Sequence, residues 1–202
     1  MTTNPWDQRY AVDEFYYGTE ANDFLRDEAH RLSPGARVLC LADGEGRNGV
    51  FLAQQGCQVV AVDGSQVGLD KGQRLAASRG VTMEAVCADL AVYEVGAARW
   101  DGVVSIWCHL PQPLRREVHA KCVAGLKPGG WFLLEAYHPR QLGYGTGGPP
   151  TTALMMTLDA LREELEGLEL VRASELDRDV QEGGGHQGLS AVVQVVARKP
   201  LA

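Results

Sequence analysis

The apolar positions of the chain come in short blocks whose period keeps switching. Arg37-Val38-Leu39-Cys40-Leu41-Ala42 is a continuous apolar run, the pattern of a strand buried on both faces. A helix is expected after it, from Arg47 to Gln55, and a second strand over Gln58-Val59-Val60-Ala61-Val62. Ser65 is placed to cap the next helix, which reaches about Arg79. Val81 to Cys87 reads as a third strand and Gly102-Val103-Val104-Ser105-Ile106-Trp107 as a fourth. Leu114, Val118, Cys122 and Leu126 step by four, the stripe of an amphipathic helix. Leu126-Lys127-Pro128-Gly129-Gly130 ends that helix, with Pro-Gly in the central positions of a type II turn. Trp131 to Tyr137 is a fifth strand.

Leu158, Leu161, Leu165 and Leu168 mark another helix. Leu168–Ala173 and Leu189–Ala197 are two late strands, expected to pair antiparallel across a polar, glycine-rich segment from Asp177 to Gly188. Ahead of the first strand, Ala21, Phe24, Leu25, Ala29 and Leu32 form a leading amphipathic helix. Before it lies an aromatic segment, Trp6, Tyr10, Phe15, Tyr16 and Tyr17, which reads equally as packing or as a lid over a site. No repeat and no long linker interrupts the pattern. The fold class expected is α/β: a doubly wound, Rossmann-like, mostly parallel seven-stranded sheet, with a C-terminal antiparallel strand pair and helices on both faces.

Composition narrows the function. The chain has 202 residues, 45% hydrophobic, enough for one α/β domain over 1–202 with a real core. Its net charge of −7 argues against a general nucleic-acid binder. No apolar run approaches the roughly 20 residues that span a bilayer, and the start, Met1-Thr2-Thr3-Asn4-Pro5-Trp6, has no secretory pattern. Cys40, Cys57, Cys87, Cys108 and Cys122 are scattered without a C-x-x-C, so they read as reduced, buried thiols of a cytoplasmic protein. No metal site is expected, since no histidines stand at metal-ligand spacing.

Chemistry concentrates after the first strand. Gly44-Glu45-Gly46-Arg47-Asn48-Gly49 matches G-x-G-x-x-G, and Asp63 stands at the end of the second strand, at the spacing of a ribose-binding acid. Glycines there let backbone N–H groups approach a ligand at a helix N-terminus. Ala42 and Asp43, however, separate the strand from Gly44, and Asp43 would repel a pyrophosphate. A carboxylate at that point suits a ligand carrying a cationic amino group and no phosphate, such as S-adenosylmethionine.

On these residues the chain resembles the class I S-adenosylmethionine-dependent methyltransferases. The run Val38 to Asn48 is similar to the family's first motif, and Asp63-Gly64-Ser65 to its ribose-binding acid. Ala88-Asp89-Leu90 resembles the adenine segment, Trp100 to Ser105 the fourth-strand motif, and Leu126 to Gly130 the turn before strand five. A narrower resemblance, to the tellurite-resistance and thiopurine-like small-molecule enzymes, rests on three segments. These are Trp6-Asp7-Gln8-Arg9-Tyr10, Ser105 to Pro111, and Asp179-Val180-Gln181-Glu182 with His186. Two positions depart from the family: Cys40 stands where an acid is usual, and Ala42 where glycine is usual, with Asp43 placed to supply the missing carboxylate.

The resemblance implies one domain in three parts: a lid segment and helix over 1–33, a cofactor-binding core over 34–137, and substrate-side loops and closing strands over 138–202. It implies S-adenosyl-L-methionine as cofactor, with Asp43, Gly44, Gly46, Arg47, Asn48, Asp63, Gly64, Ser65, Asp89 and Leu90 around it. Trp107 and Cys108 after strand four, and Trp6, Arg9 and Tyr17 from the lid, complete that set. His109 and His186 are the candidate catalytic residues, and His138, Arg140 and Tyr144 the candidate substrate contacts. His30 and His119 read as ordinary helix residues. The expected partner is a small-molecule methyl acceptor, a chalcogen oxyanion or thiol among the options, with no nucleic acid or membrane, for a monomer or homodimer. Two alternatives stay open: an NAD-dependent oxidoreductase using the glycine loop, and a non-catalytic module with Cys40 and Ala42 as its marks. Eight glycines at 143–148 and 183–188 read as two flexible flaps over the acceptor side.

Overall fold

The computed structural model describes residues 4–201. The reading of Met1, Thr2 and Thr3 therefore lies outside the described residues. A short helix α1 (Pro5–Tyr10) and a second, α2 (Asp23–Glu28), precede the sheet. Then follow β1 (Arg37–Leu41), α3 (Arg47–Gln54), β2 (Gln58–Asp63), α4 (Gln66–Ser78) and β3 (Glu84–Cys87). The second half runs β4 (Trp100–Ile106), α5 (Gln112–Gly125), β5 (Leu126–Tyr137), α6 (Leu158–Glu164), β6 (Glu169–Glu182) and β7 (His186–Arg198).

One seven-stranded sheet results, in the order β3-β2-β1-β4-β5-β7-β6. The first five strands are mutually parallel, and β7 runs antiparallel between β5 and β6. Alternation along β1 divides the core. Leu39 and Leu41 face the side covered by α5 and α6, with Val118, Cys122, Leu161 and Phe132. Val38 and Cys40 face the side covered by α2, α3 and α4, with Leu25, Leu52 and Leu69. No described helix is long and apolar enough to cross a membrane.

Three expectations change. The third strand begins at Glu84 rather than Val81, at the sheet edge. The fifth begins at Leu126, which pairs with Trp100, so the Pro128-Gly129 turn is a kink inside paired strands, with Gly129 at φ +81°. The polar segment from Asp177 to Gly188 is not a loop. β6 and β7 pair through it, from Asp177 against Ala191 to Glu182 against His186, leaving Gly183–Gly185 as the turn. Polar residues suit an edge strand because one face and one edge meet water. The proposed late flap is thus the end of a long hairpin.

Candidate active site

The strand order reverses between β1 and β4, the position where open α/β sheets hold ligands beyond their carboxyl ends. A cavity of about 870 Å³ lies there. Its floor is the loop after β1. Ala42 opens that loop at φ +49° and Gly46 closes it at φ +83°, as the N-cap of α3. Gly46 is required twice over: a Cβ on it would come within 2.7 Å of Gly72 Cα, where α4 crosses the loop. Ala42 occupies the left-handed region that costs a non-glycine residue roughly 1–2 kcal/mol. Ala42→Gly is therefore expected to stabilise the fold by about 0.5–1 kcal/mol in urea unfolding, the strain relieved less glycine's entropy in the unfolded chain. A loss of stability would show that the αL backbone here is not strained.

Asp63 holds the loop to the next strand. Its Oδ2 accepts the Gly44 N–H at 2.9 Å and its Oδ1 the Ser65 N–H at 2.8 Å. Burial raises its pKa above the usual carboxylate range, and the two backbone donors work against that rise. Asp89 lines the same end and accepts the Ala91 N–H at 2.9 Å. Glu45 also faces the cavity, its carboxylate 2.5 Å from Lys71 Nζ.

Asp43 lines the cavity, but its carboxyl turns beneath α3. Oδ1 accepts the Gly49 N–H at 3.3 Å, and Oδ2 has no hydrogen-bond partner. A Cβ on Gly49 would lie 2.5 Å from that oxygen. Burial pushes the Asp43 pKa up to about 7. The side chain thus both lines the cavity and satisfies one backbone donor in the first turn of α3.

The other end of the cavity is walled by rings. His186 stacks on Tyr17 at 4.6 Å and on Trp107 at 5.0 Å. Tyr16 meets Tyr17 edge-on at 4.9 Å. Trp107, at φ +56°, donates its indole N–H to Glu182 at 2.7 Å. Arg47 pairs with the same carboxylate. Arg178 and Asn22 complete the cluster, joining Glu182 to the fully buried Glu135. These cations keep the Glu182 carboxyl below its usual range despite burial. Arg9 stands at the mouth, over the Trp6 and Tyr16 rings, and donates to the Tyr17 hydroxyl at 3.0 Å.

Most of the expected cofactor residues line this one cavity: Trp6, Arg9, Tyr17, Gly44, Asp63, Gly64, Asp89, Leu90, Trp107 and Cys108 among them. Arg47 and Asn48 do as well, Asn48 also accepting the Asn22 N–H. Gly46 and Ser65 sit beneath it, Ser65 as the buried cap of α4. The Cys108 thiol is pushed up to about 12 by burial and packs as an apolar group. Cys87, in contrast, is exposed at the cavity, against the expectation of uniformly buried thiols.

Both candidate catalytic histidines line the cavity, but they differ. His109 Nε2 already accepts the Tyr137 N–H at 3.0 Å, so that nitrogen is engaged. His186 engages Tyr137 through Nδ1 alone. The expected substrate contacts are corrected. His138, Arg140 and Tyr144 lie outside the cavity, against the carboxylates of β6: His138 on Glu175, and Arg140 and Tyr144 on Asp177. Their neighbours in sequence gave no sign of those partners. In the leading aromatic segment Tyr10 is buried, and Trp6, Tyr16 and Tyr17 line the cavity. Sequence reasoning missed Lys71 and Tyr137, and quoted Glu182 without giving it a role.

The acids at the loop end and the aromatic wall fit S-adenosylmethionine better than a pyrophosphate cofactor. Fold and site together define a methyltransferase of that class. Residues 38–130 match the family described as "Methyltransferase domain". Ubiquinone biosynthesis O-methyltransferase of Burkholderia pseudomallei is 30% identical over 184 residues, spanning 87% of this chain and 74% of that protein. TehB from Haemophilus influenzae shares the fold at a TM-score of 0.73 and 17% identity, over 96% of this chain and 65% of that one. The N-methyltransferase NodS from Bradyrhizobium japonicum WM9, with S-adenosyl-l-homocysteine bound, does so at 0.71 and 15%, over 96% of both chains. The chain belongs to the class I S-adenosylmethionine-dependent methyltransferases. That membership sets aside the oxidoreductase and the non-catalytic module, and the TehB likeness is one of fold.

Proposed function

We propose that the protein methylates a hydroxyl group on a small planar molecule held against the ring wall of the cavity. The observation that carries this is the stack of Tyr17, His186 and Trp107, whose cavity faces a flat acceptor would extend. The cavity's 870 Å³ sits high in the roughly 300–1,000 Å³ range of ligand pockets, room for a cofactor and a second small molecule. The O-methyltransferase relative supports an oxygen nucleophile.

When bound, S-adenosylmethionine supplies a methyl group on a positively charged sulfur. The loop from Ala42 to Gly46, Asp63 and Asp89 would hold it. Tyr16, Tyr17 and Trp107 exclude water and orient the acceptor, since the reaction depends on alignment of two reactants. His186 Nε2 is the nitrogen placed to hold the acceptor's proton. Arg9, without a carboxylate partner among the described residues, favours a second reading: an anionic acceptor such as a chalcogen oxyanion or a thiolate.

The test is methyl transfer from labelled S-adenosylmethionine to a panel of hydroxylated aromatic acids, alkyl and aryl thiols, selenite and tellurite. Turnover of ring hydroxyls at a kcat/KM at least tenfold above the rest is expected. Turnover confined to thiols or oxyanions would replace this reading with the second.

A further inference from the structure

Trp107 follows β4 at φ +56°, a region that a bulky side chain adopts only where its surroundings hold it there. Its backbone is fixed on both sides: the N–H donates to the Glu135 carbonyl at 2.9 Å, and the carbonyl accepts the His109 N–H at 3.0 Å. Its ring is half-buried, lines the cavity, and stacks on Tyr137 at 4.4 Å and on His186 at 5.0 Å. One polar contact fixes the rotation of that ring, the indole N–H donating to Glu182 Oε2 at 2.7 Å. We propose that Glu182 is a positioning residue that acts through Trp107, holding the indole as part of the wall against which the methyl acceptor binds. The tie itself needs no acceptor; only its kinetic consequence rests on the ring-wall reading above.

Four donors converge on this carboxylate from four places in the chain. Oε2 takes the Arg47 guanidinium, at the start of α3, as well as the indole. Oε1 accepts the Asn22 amide at 2.8 Å, ahead of α2, and Arg178 at 3.2 Å, on β6. Tryptophan and arginine offer no acceptor. Asn22 presents its NH2 end, since its own amide oxygen is taken by the Leu25 N–H at 2.9 Å. A glutamine accepts at one end only, so in either orientation its amide protons would face two donors. The isosteric Glu182→Gln therefore breaks an arrangement that only a carboxylate completes. The cations around Glu182 hold its carboxyl below the usual range, so it is ionised at neutral pH.

The backbone that carries Glu182 is equally constrained. Glu182 pairs with His186 across the turn between β6 and β7. Gly183 stands at φ +60°, and a Cβ on it would lie 2.5 Å from the Tyr16 carbonyl oxygen. The Gly184 N–H donates to that same oxygen at 2.9 Å. A Cβ on Gly185 would collide with the Tyr17 ring. The hairpin tip is thus seated against the aromatic segment, and it brings Glu182 to the indole N–H and His186 to the indole face.

The test begins with the indole N–H signals in 15N–1H spectra of the unliganded protein. Four tryptophans give four signals, and Trp107→Phe identifies one by its loss. In the wild type that signal is expected downfield, as a charge-assisted donor, and to exchange with water roughly 10²-fold more slowly than a free indole. In Glu182→Gln it should move upfield and exchange within roughly tenfold of the free rate. A signal unchanged by Glu182→Gln would overturn the proposal and leave Glu182 a charge partner of the two arginines. The kinetic arm uses the panel acceptor with the highest kcat/KM, at saturating S-adenosylmethionine. Glu182→Gln and Trp107→Phe are each expected to raise acceptor KM about tenfold. In Trp107→Phe kcat should change less than about threefold, because a stacking face binds ground and transition states alike. The double variant should have a KM no higher than Trp107→Phe alone, since Glu182 then has no indole N–H to hold. Effects that multiply would overturn the proposal. Should Glu182→Gln fail to fold, a Trp107 signal that exchanges at the free rate in the wild type still overturns it. An unchanged KM in both variants, with the spectra as expected, would remove the ring-wall reading and keep the tie.

Discussion

Lys71→Met is expected to lower the thermal unfolding midpoint by roughly 6–20 °C and to weaken S-adenosylhomocysteine binding at least tenfold. Lys71 sits mid-way along α4 and is only 2% exposed. Its ammonium donates to the carbonyls of Tyr10, Val12 and Glu14 at 3.4, 2.8 and 2.7 Å, and it ion-pairs with the Glu45 carboxylate at 2.5 Å. Methionine fills the stem's volume but leaves a buried carboxylate without a counter-charge, which costs about 3–5 kcal/mol. A chain of this size loses about 2–4 °C per kcal/mol. The binding loss has a separate origin. Glu45 belongs to the glycine loop and accepts the Tyr17 N–H at 3.4 Å, so Lys71 fastens residues 10–17 over that loop. Tyr10 and Tyr17 line the cavity from that segment. The double variant Lys71→Met/Glu45→Leu should regain most of the midpoint, because it removes both charges, but not the binding. Scanning calorimetry and titration calorimetry separate the two. A single variant melting within about 2 °C of wild type would mean that water already compensates Glu45.

That latch marks the boundary of what the sequence made legible. The strands β1, β2, β4 and β5 were readable because a parallel strand covered on both faces is a plain apolar run. The glycine loop and Asp63 were readable because their spacing along the chain is also their spacing in space. Lys71 was not, since a lysine between Asp70 and Gly72 in a helix has the signature of a solvated face. Its partners lie 57–61 residues away at Tyr10, Val12 and Glu14, and on the loop at Glu45. The hairpin from Asp177 to Gly188 was hidden for the converse reason: an edge strand and a loop have the same polarity, and only the pairing of Glu182 with His186 separates them. His138, Arg140 and Tyr144 were placed at the site by adjacency to β5. The chain turns outward at that point, into the carboxylates of β6.

His186→Ala is expected to reduce kcat for a hydroxyl acceptor by about 10²-fold, the low end of a positioned proton acceptor's range, because a pKa held down to about 3 makes the imidazole a weak base at neutral pH. S-adenosylhomocysteine affinity should change less than threefold, because the loop from Ala42 to Gly46 and Asp63 are fastened without His186. The pH dependence carries the sign of the shift. With burial holding its pKa down to about 3, the imidazole stays neutral as pH falls through the range where a free histidine protonates. Wild-type turnover should therefore not fall as pH drops through 6.5, where an ordinary histidine would protonate and cease to accept. The same variant separates the two acceptor classes. A thiolate or an oxyanion reaches the cavity without a proton to lose, so His186→Ala should cost such an acceptor less than tenfold, chiefly through the lost ring face against Tyr17 and Trp107. Equal losses on hydroxyl and thiolate acceptors would mean that His186 acts by stacking alone. A loss confined to hydroxyl acceptors, with kcat reduced and KM held, can come only from the proton, since the packing surface removed is the same in both assays.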